Sequence, residues 1–272
     1  MKDSFKDKVI IITGASSGIG EELALQLAME GAKLVLASRS EDLLKSVAEA
    51  CEKLGGKALV VVTDVSVKEQ CKNLIDKTVE FFGQIDVLVN NAGYTMWTKF
   101  EDIKNISAFE QLFKVKVFGS MYCTHFALPF LKKTKGRIIG VSSLTGKIAT
   151  PTRTVYSSSN YAMAGFFDAL RAEVCEHGIS VTMVYPDFVA TKIRERALDS
   201  KGNAIGESHI SESNIMSVEK CVSMIIETTR KRKREVVMTY SGIAGIWLKM
   251  ILPDMIDSIA RKKVGFDKIN EK

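Results

Sequence analysis

Val9-Ile10-Ile11-Ile12-Thr13-Gly14-Ala15-Ser16-Ser17-Gly18-Ile19-Gly20-Glu21-Glu22-Leu23-Ala24 is an apolar run of β type, a glycine-rich turn and the opening of a helical pattern, in that order. The glycines permit a tight turn and a close approach of backbone N–H groups to a pyrophosphate at the positive end of a helix. A glycine motif standing alone carries little weight. Lodged between a strand and a helix, it reads as a dinucleotide cradle made by Gly14, Ser16, Ser17, Gly18, Ile19 and Gly20.

Outward from this unit, β-type runs recur at Lys33–Ala37, Ala58–Thr63, Val87–Asn90, Arg137–Ser142, Ser180–Tyr185 and Glu235–Thr239, separated by segments of helical periodicity. Strands alternating with helices predict a parallel sheet, and near-continuous apolar runs such as Leu59-Val60-Val61-Val62 predict strands covered on both faces. The fold class is therefore α/β, a doubly wound parallel sheet. The 272 residues suit one domain over 1–272 with no linker. Ligands of such sheets bind beyond the carboxyl ends of the strands, where strand order reverses.

The second strand ends Leu36-Ala37-Ser38-Arg39-Ser40, with no acidic residue at 37 to 39. An acid there favours NAD by accepting from ribose hydroxyls, whereas an arginine pairs with a 2′-phosphate. Ser38 and Arg39 thus point to NADP(H).

Thr13-Gly14-x-x-x-Gly18-x-Gly20, Asp64-Val65, Asn90-Asn91-Ala92-Gly93, Ser142-Ser143 and Tyr156 together resemble the short-chain dehydrogenase/reductase family, in its order and spacing over roughly residues 5 to 240. The resemblance implies a Rossmann-type domain in which Asp64 and Val65 contact the adenine, and Asn90, Ala92 and Gly93 line the cofactor cleft. It sets Pro186, Val189 and Thr191 beside the nicotinamide carboxamide, with Asp187 where the family usually has glycine. It also implies that residues ~191–217 form a substrate-covering loop, which includes the polar stretch from Asp199 to Ser213.

Hydride addition to a carbonyl leaves negative charge on oxygen, so catalysis needs a proton donor and a hydrogen-bond donor aimed at that atom. Tyr156 and Ser143 match the family's residues for these two tasks. Family members carry lysine four residues after the tyrosine, where it lowers the phenol pKa and holds the nicotinamide ribose. This chain has Asn160, an amide able to hydrogen-bond a ribose but carrying no charge. The preceding helix usually carries an asparagine three residues before a glycine; Val115-Lys116-Val117-Phe118-Gly119 has Lys116 there. The two residues have exchanged places, so Lys116 is expected to bring the missing charge toward Tyr156, whereas Lys114 points elsewhere. The alternative is a catalytically impaired or non-catalytic NADP-binding sensor or scaffold.

Met96, Trp97 and Phe188 are candidates for an apolar wall suited to a lipophilic carbonyl or alcohol substrate. Gly242 to Pro253 is apolar, contains Trp247 and precedes Arg261-Lys262-Lys263. That apolar stretch, which opens a C-terminal extension over ~242–272, is too short to span a bilayer and suits either a membrane interface or a second subunit. Similar tails in hydroxysteroid and long-chain-ketone reductases favour a lipophilic substrate, and the family's habit implies a homodimer or homotetramer. The charged start, without a secretory pattern, and five scattered cysteines point to a cytoplasmic protein, if need be peripheral to a membrane. Those cysteines read as small buried hydrophobes. The run Arg230-Lys231-Arg232-Lys233-Arg234 reads as a solvated helix end, so no nucleic-acid partner is expected. His125, His177 and His209 lack ligand spacing, and no metal is expected.

Overall fold

The computed structural model describes residues 4–191, 193, 195–206 and 215–264. Parts of the expected covering loop (Lys192, Arg194 and 207–214, with His209) and of the C-terminal extension (265–272) lie outside the described residues.

Seven strands form one parallel sheet: β1 (Val9–Thr13), β2 (Lys33–Ser38), β3 (Lys57–Val62), β4 (Val87–Asn90), β5 (Arg137–Val141), β6 (Ser180–Tyr185) and β7 (Glu235–Val237), in the order β3-β2-β1-β4-β5-β6-β7. The period of two along a strand divides its apolar side chains between two cores. Ile10 and Ile12 pack with helices α1 (Gly18–Met29), α2 (Glu41–Lys53) and α7 (Val218–Arg230). Val9 and Ile11 pack on the other face with α3 (Lys68–Phe82), α5 (Gly119–Thr134) and α6 (Thr154–Val174). The remaining helices are α4 (Ile106–Phe113), α8 (Tyr240–Ile251) and α9 (Pro253–Lys263).

Three expectations need correction. The run offered as doubly covered, Leu59 to Val62, belongs to β3, the edge strand, and Val62 is 45% exposed; fully buried strands are β1, β4 and β5. The last strand stops at Val237, because the Thr239 hydroxyl accepts from the Gly242 amide at 3.1 Å and starts α8. Cys51, Cys71, Cys123 and Cys221 are buried, but Cys175 is exposed.

Much of the basic run is engaged within the molecule. Arg230 meets Glu30 at 2.6 Å, Lys231 meets Glu227 at 2.8 Å and Arg234 meets Asp168 at 3.3 Å. Arg232 donates to the carbonyls of Lys135, Gly136 and Gly178. At the other end of the sheet's last helices, α8 and α9 leave Trp247, Met250, Ile251 and Ile259 exposed. Among the described residues no helix is long and apolar enough to cross a membrane.

Candidate active site

Strand order reverses between β1 and β4, and a cleft of about 790 Å³ opens beyond their carboxyl ends. Gly14 and Gly18 take left-handed backbone, φ +67° and +61°, and so turn the chain from β1 into α1. A Cβ on Gly14 would sit 2.9 Å from the Ala92 Cα; one on Gly20 would sit 2.2 Å from the Gly14 carbonyl oxygen. The turn is thus closed against side chains from within. Asn91 stitches it to β4, its Nδ2 donating to the carbonyls of Thr13 (2.9 Å) and Gly14 (3.2 Å), while the Thr13 hydroxyl accepts from the Asn91 and Ala92 amides.

Gly14, Ser16, Ser17, Gly18, Ile19, Ser38, Arg39, Asp64, Val65, Ala92, Gly93 and Thr191 all line this cleft. Gly20, Asn90, Pro186 and Val189 lie buried behind it. Asn90 donates to the Thr124 hydroxyl at 3.1 Å. Asp187 needs no left-handed backbone, so the loop after β6 accommodates an aspartate without strain.

Arg39, exposed at the end of β2, shares one end of the cleft with Tyr94 and Asp64. Burial pushes the Tyr94 phenol up to about 12, with Arg39 opposing the shift and Asp64 adding to it. At the other end, Arg196 donates to the Ser17 hydroxyl at 2.9 Å. The residues present fit a nicotinamide dinucleotide: a backbone cradle without side chains at a helix N-terminus, and a cation at the end of β2.

Tyr156 stands in the first turn of α6 and is buried; it, Ser143, Lys116 and Asn160 are not among the residues that line the cleft. Ser143 ends the segment after β5, half-buried, its hydroxyl accepting from the Thr145 amide at 3.3 Å. Lys116 lies on a π-helical turn, Lys114–Phe118, between α4 and α5. Such widened turns concentrate at functional sites. This one turns Lys116 inward, 4% exposed, while Lys114 faces solvent. The Lys116 Nζ is 5.5 Å from the Tyr156 ring centroid, donates to the Val141 carbonyl at 3.2 Å, and would lie 3.5 Å from a Cβ on Gly93. Burial holds its pKa below the ordinary lysine value, with Tyr156 acting in the opposite sense.

Asn160 has no exposed surface and presents no atom to the cleft. Its Nδ2 donates to the Tyr156 carbonyl (2.8 Å) and the Thr145 hydroxyl (3.2 Å), and its Oδ1 accepts from the Ser142 hydroxyl at 3.0 Å. The amide therefore binds α6 to the segment after β5.

Next to Tyr156, the wall expected to be apolar contains a cation. The Arg153 guanidinium, 8% exposed in its residue, stacks 4.3 Å from the Trp97 ring and lies 5.7 Å from Phe188 and 6.0 Å from Tyr156. The preceding Thr152 takes φ +64°, a conformation costly for a β-branched residue, with its carbonyl accepting from the Thr98 amide at 2.9 Å. Sequence reasoning missed Asn91, Tyr94, Arg153 and Arg196. Of these only Asn91 sat in a recognised motif; the others reach the site through tertiary contacts. Among the described residues no cluster of His, Cys, Asp or Glu is placed to hold a metal ion.

Comparison with known proteins bears on this geometry. A family model described as short chain dehydrogenase matches residues 8–202. An 11-beta-hydroxysteroid dehydrogenase-like 2 of Arabidopsis thaliana is 37% identical over 252 residues, 92% of this chain and 79% of the relative. A dehydrogenase/reductase SDR family protein 7-like of Dictyostelium discoideum is 34% identical over 96% of this chain and 83% of its own length. In fold, a short-chain dehydrogenase/reductase from Burkholderia phymatum, crystallised with NAD, aligns with a TM-score of 0.82 at 23% identity, covering 93% of this chain and 96% of that one. By the family model and these relatives, the chain belongs to the short-chain dehydrogenase family.

Proposed function

We propose that this protein is an NADP(H)-dependent oxidoreductase acting on a carbonyl or secondary alcohol, with Tyr156 as proton donor and acceptor and Ser143 as hydrogen-bond donor to the substrate oxygen. The observation that carries the reading is the buried Lys116 ammonium 5.5 Å from the Tyr156 ring, paired with a neutral Asn160 at the position the family gives to lysine. A buried lysine is costly to keep idle. Beside the Tyr156 ring, it puts a cation next to the group that would transfer a proton to and from the substrate.

The bound nicotinamide would supply or accept the hydride. Gly14, Ser16, Gly18 and Ile19 would hold its diphosphate through the turn and the helix N-terminus, and Arg39 with Ser38 would take the 2′-phosphate. Asp64 and Val65 flank the adenine. Tyr156 gives its proton to the substrate oxygen during reduction and takes one back during oxidation, while Ser143 keeps that oxygen in place. Asn160 fixes the Tyr156 backbone, and Lys116 would hold the nicotinamide ribose.

Trp97 and Phe188 make the substrate wall apolar, and the relatives named hydroxysteroid dehydrogenases support a lipophilic substrate. Arg153 adds a polar anchor to that wall. The exposed face of α8 and α9 suits a second subunit or a bilayer interface. The test is NADPH oxidation against a panel of lipophilic ketones from pH 6 to 10, beside Tyr156→Phe and Lys116→Ala. Turnover lost in both variants supports the reading; full turnover in Lys116→Ala refutes the role of Lys116; tight NADPH binding without turnover on any ketone favours a non-catalytic binder.

A further inference from the structure

We infer that Arg196 is a cofactor-binding residue that pairs with the diphosphate of the dinucleotide, making Glu195–Leu198 a strap across the cleft; this rests on the nicotinamide-dinucleotide reading above. Ser17 occupies the cap position of α1 with extended backbone, φ −169° and ψ 160°, yet its side chain makes no capping hydrogen bond. A serine there ordinarily accepts from the first-turn amides of its own helix. Here the hydroxyl instead accepts from the Arg196 Nη1 at 2.9 Å. The amides of α1 keep their capacity for an anion, and a guanidinium is held at the same point.

The strap is anchored on the far wall. The Leu198 amide donates to the Thr95 carbonyl and the Trp97 amide to the Leu198 carbonyl, both at 2.9 Å, and the Ile205 amide ties back to the Ala197 carbonyl at 2.9 Å. From there the segment reaches to the glycine turn beyond β1. Glu21 also lines the cleft, from the first turn of α1. Arg39 stands at the other end, with Asp64 and Tyr94. Both cations line one cleft, Arg39 after β2 and Arg196 at the glycine turn, and Arg196 takes the phosphate position that NAD and NADP share.

Titration of the purified full-length protein, following nucleotide fluorescence for the dinucleotides and calorimetry for adenosine 2′-monophosphate, separates the two. Arg196→Ala is expected to weaken NADPH and NADH alike, about tenfold each, as loss of one charge-assisted contact does. Binding of adenosine 2′-monophosphate, which lacks the diphosphate, should be unchanged. Partial recovery in Arg196→Lys supports a charge contact. Unchanged dinucleotide affinity in Arg196→Ala overturns the inference, as does weakening confined to NADPH and the 2′-monophosphate. Failure of the NADP(H) reading is visible separately, as a parent protein that prefers NADH or binds neither.

Discussion

The two walls of the cleft handle charge by different means. On the β1 side the groups facing the cleft belong to a glycine turn at a helix N-terminus, which excludes a Cβ at Gly14 and Gly20. Where the turn Lys114–Phe118 meets α6 the groups are side chains: the Lys116 Nζ lies 5.5 Å from the Tyr156 ring, and the Asn160 amide is turned into the protein. A backbone cradle has one solution, because its geometry is the interaction. A cation at the end of a long flexible chain can be delivered from either of two helices that face one cavity.

The sharpest way to break this contrast is on the backbone side. Gly20→Ala would force a Cβ to 2.2 Å from the Gly14 carbonyl oxygen, so the turn must open. We expect dinucleotide binding to fall below detection in a fluorescence titration, and retained binding would show the cradle to be adaptable. Next in size, Tyr156→Phe should lower turnover about 10³-fold, the range for loss of a positioned proton donor, with nucleotide affinity little changed.

The side-chain wall is tested by moving the charge back. Lys116→Asn alone should cost roughly 10²-fold in turnover, as loss of one electrostatic stabiliser does, and the double exchange with Asn160→Lys should recover most of it. If the double variant is as poor as the single one, the two positions are not interchangeable. Asn160→Lys alone crowds two ammonium groups near one phenol and removes three buried hydrogen bonds, so it should lower thermal stability.

Lys116 also sets a pH dependence. Burial holds its pKa below 10.5, so turnover that needs the ammonium should decline on the alkaline side before an ordinary lysine titrates. Stability runs the other way. Between the lowered folded value and 10.5 the unfolded chain binds the extra proton, so unfolding free energy rises with pH in that window. Lys116→Met should therefore raise the melting temperature at neutral pH by about 2–4 °C per kcal/mol relieved, with the gain shrinking toward pH 10.5. A variant that melts lower at every pH would mean that the Val141 hydrogen bond outweighs the cost of burial. The smallest effect belongs to Arg39→Ala at the exposed end of β2, about tenfold weaker NADPH binding with NADH unaffected.

The sheet was legible because each strand is a short apolar run and each connection is long enough for a helix, patterns that local sequence carries. The same reading misjudged Leu59 to Val62, since an edge strand can be as apolar as a central one and only strand order tells them apart. The glycine turn and Arg39, which line the cleft, were legible from their places after β1 and β2. Arg153 and Arg196 were not, because each meets the site through contacts remote in sequence: Arg153 with Trp97, Arg196 with Ser17.

By itself, then, the sequence determined the alternation of strands and helices, the glycine-rich turn, and the presence of a lysine at 116 and an asparagine at 160, all of which depend on residue type and local spacing. Tertiary structure alone decided where those groups point. The π-helical turn Lys114–Phe118, packed against α6, buries the Lys116 side chain beside Tyr156, and hydrogen bonds within α6 and to the segment after β5 turn the Asn160 amide away from the cleft. Burial and direction are set by neighbours far along the chain, and charge acts through distance and surroundings, which spacing does not specify.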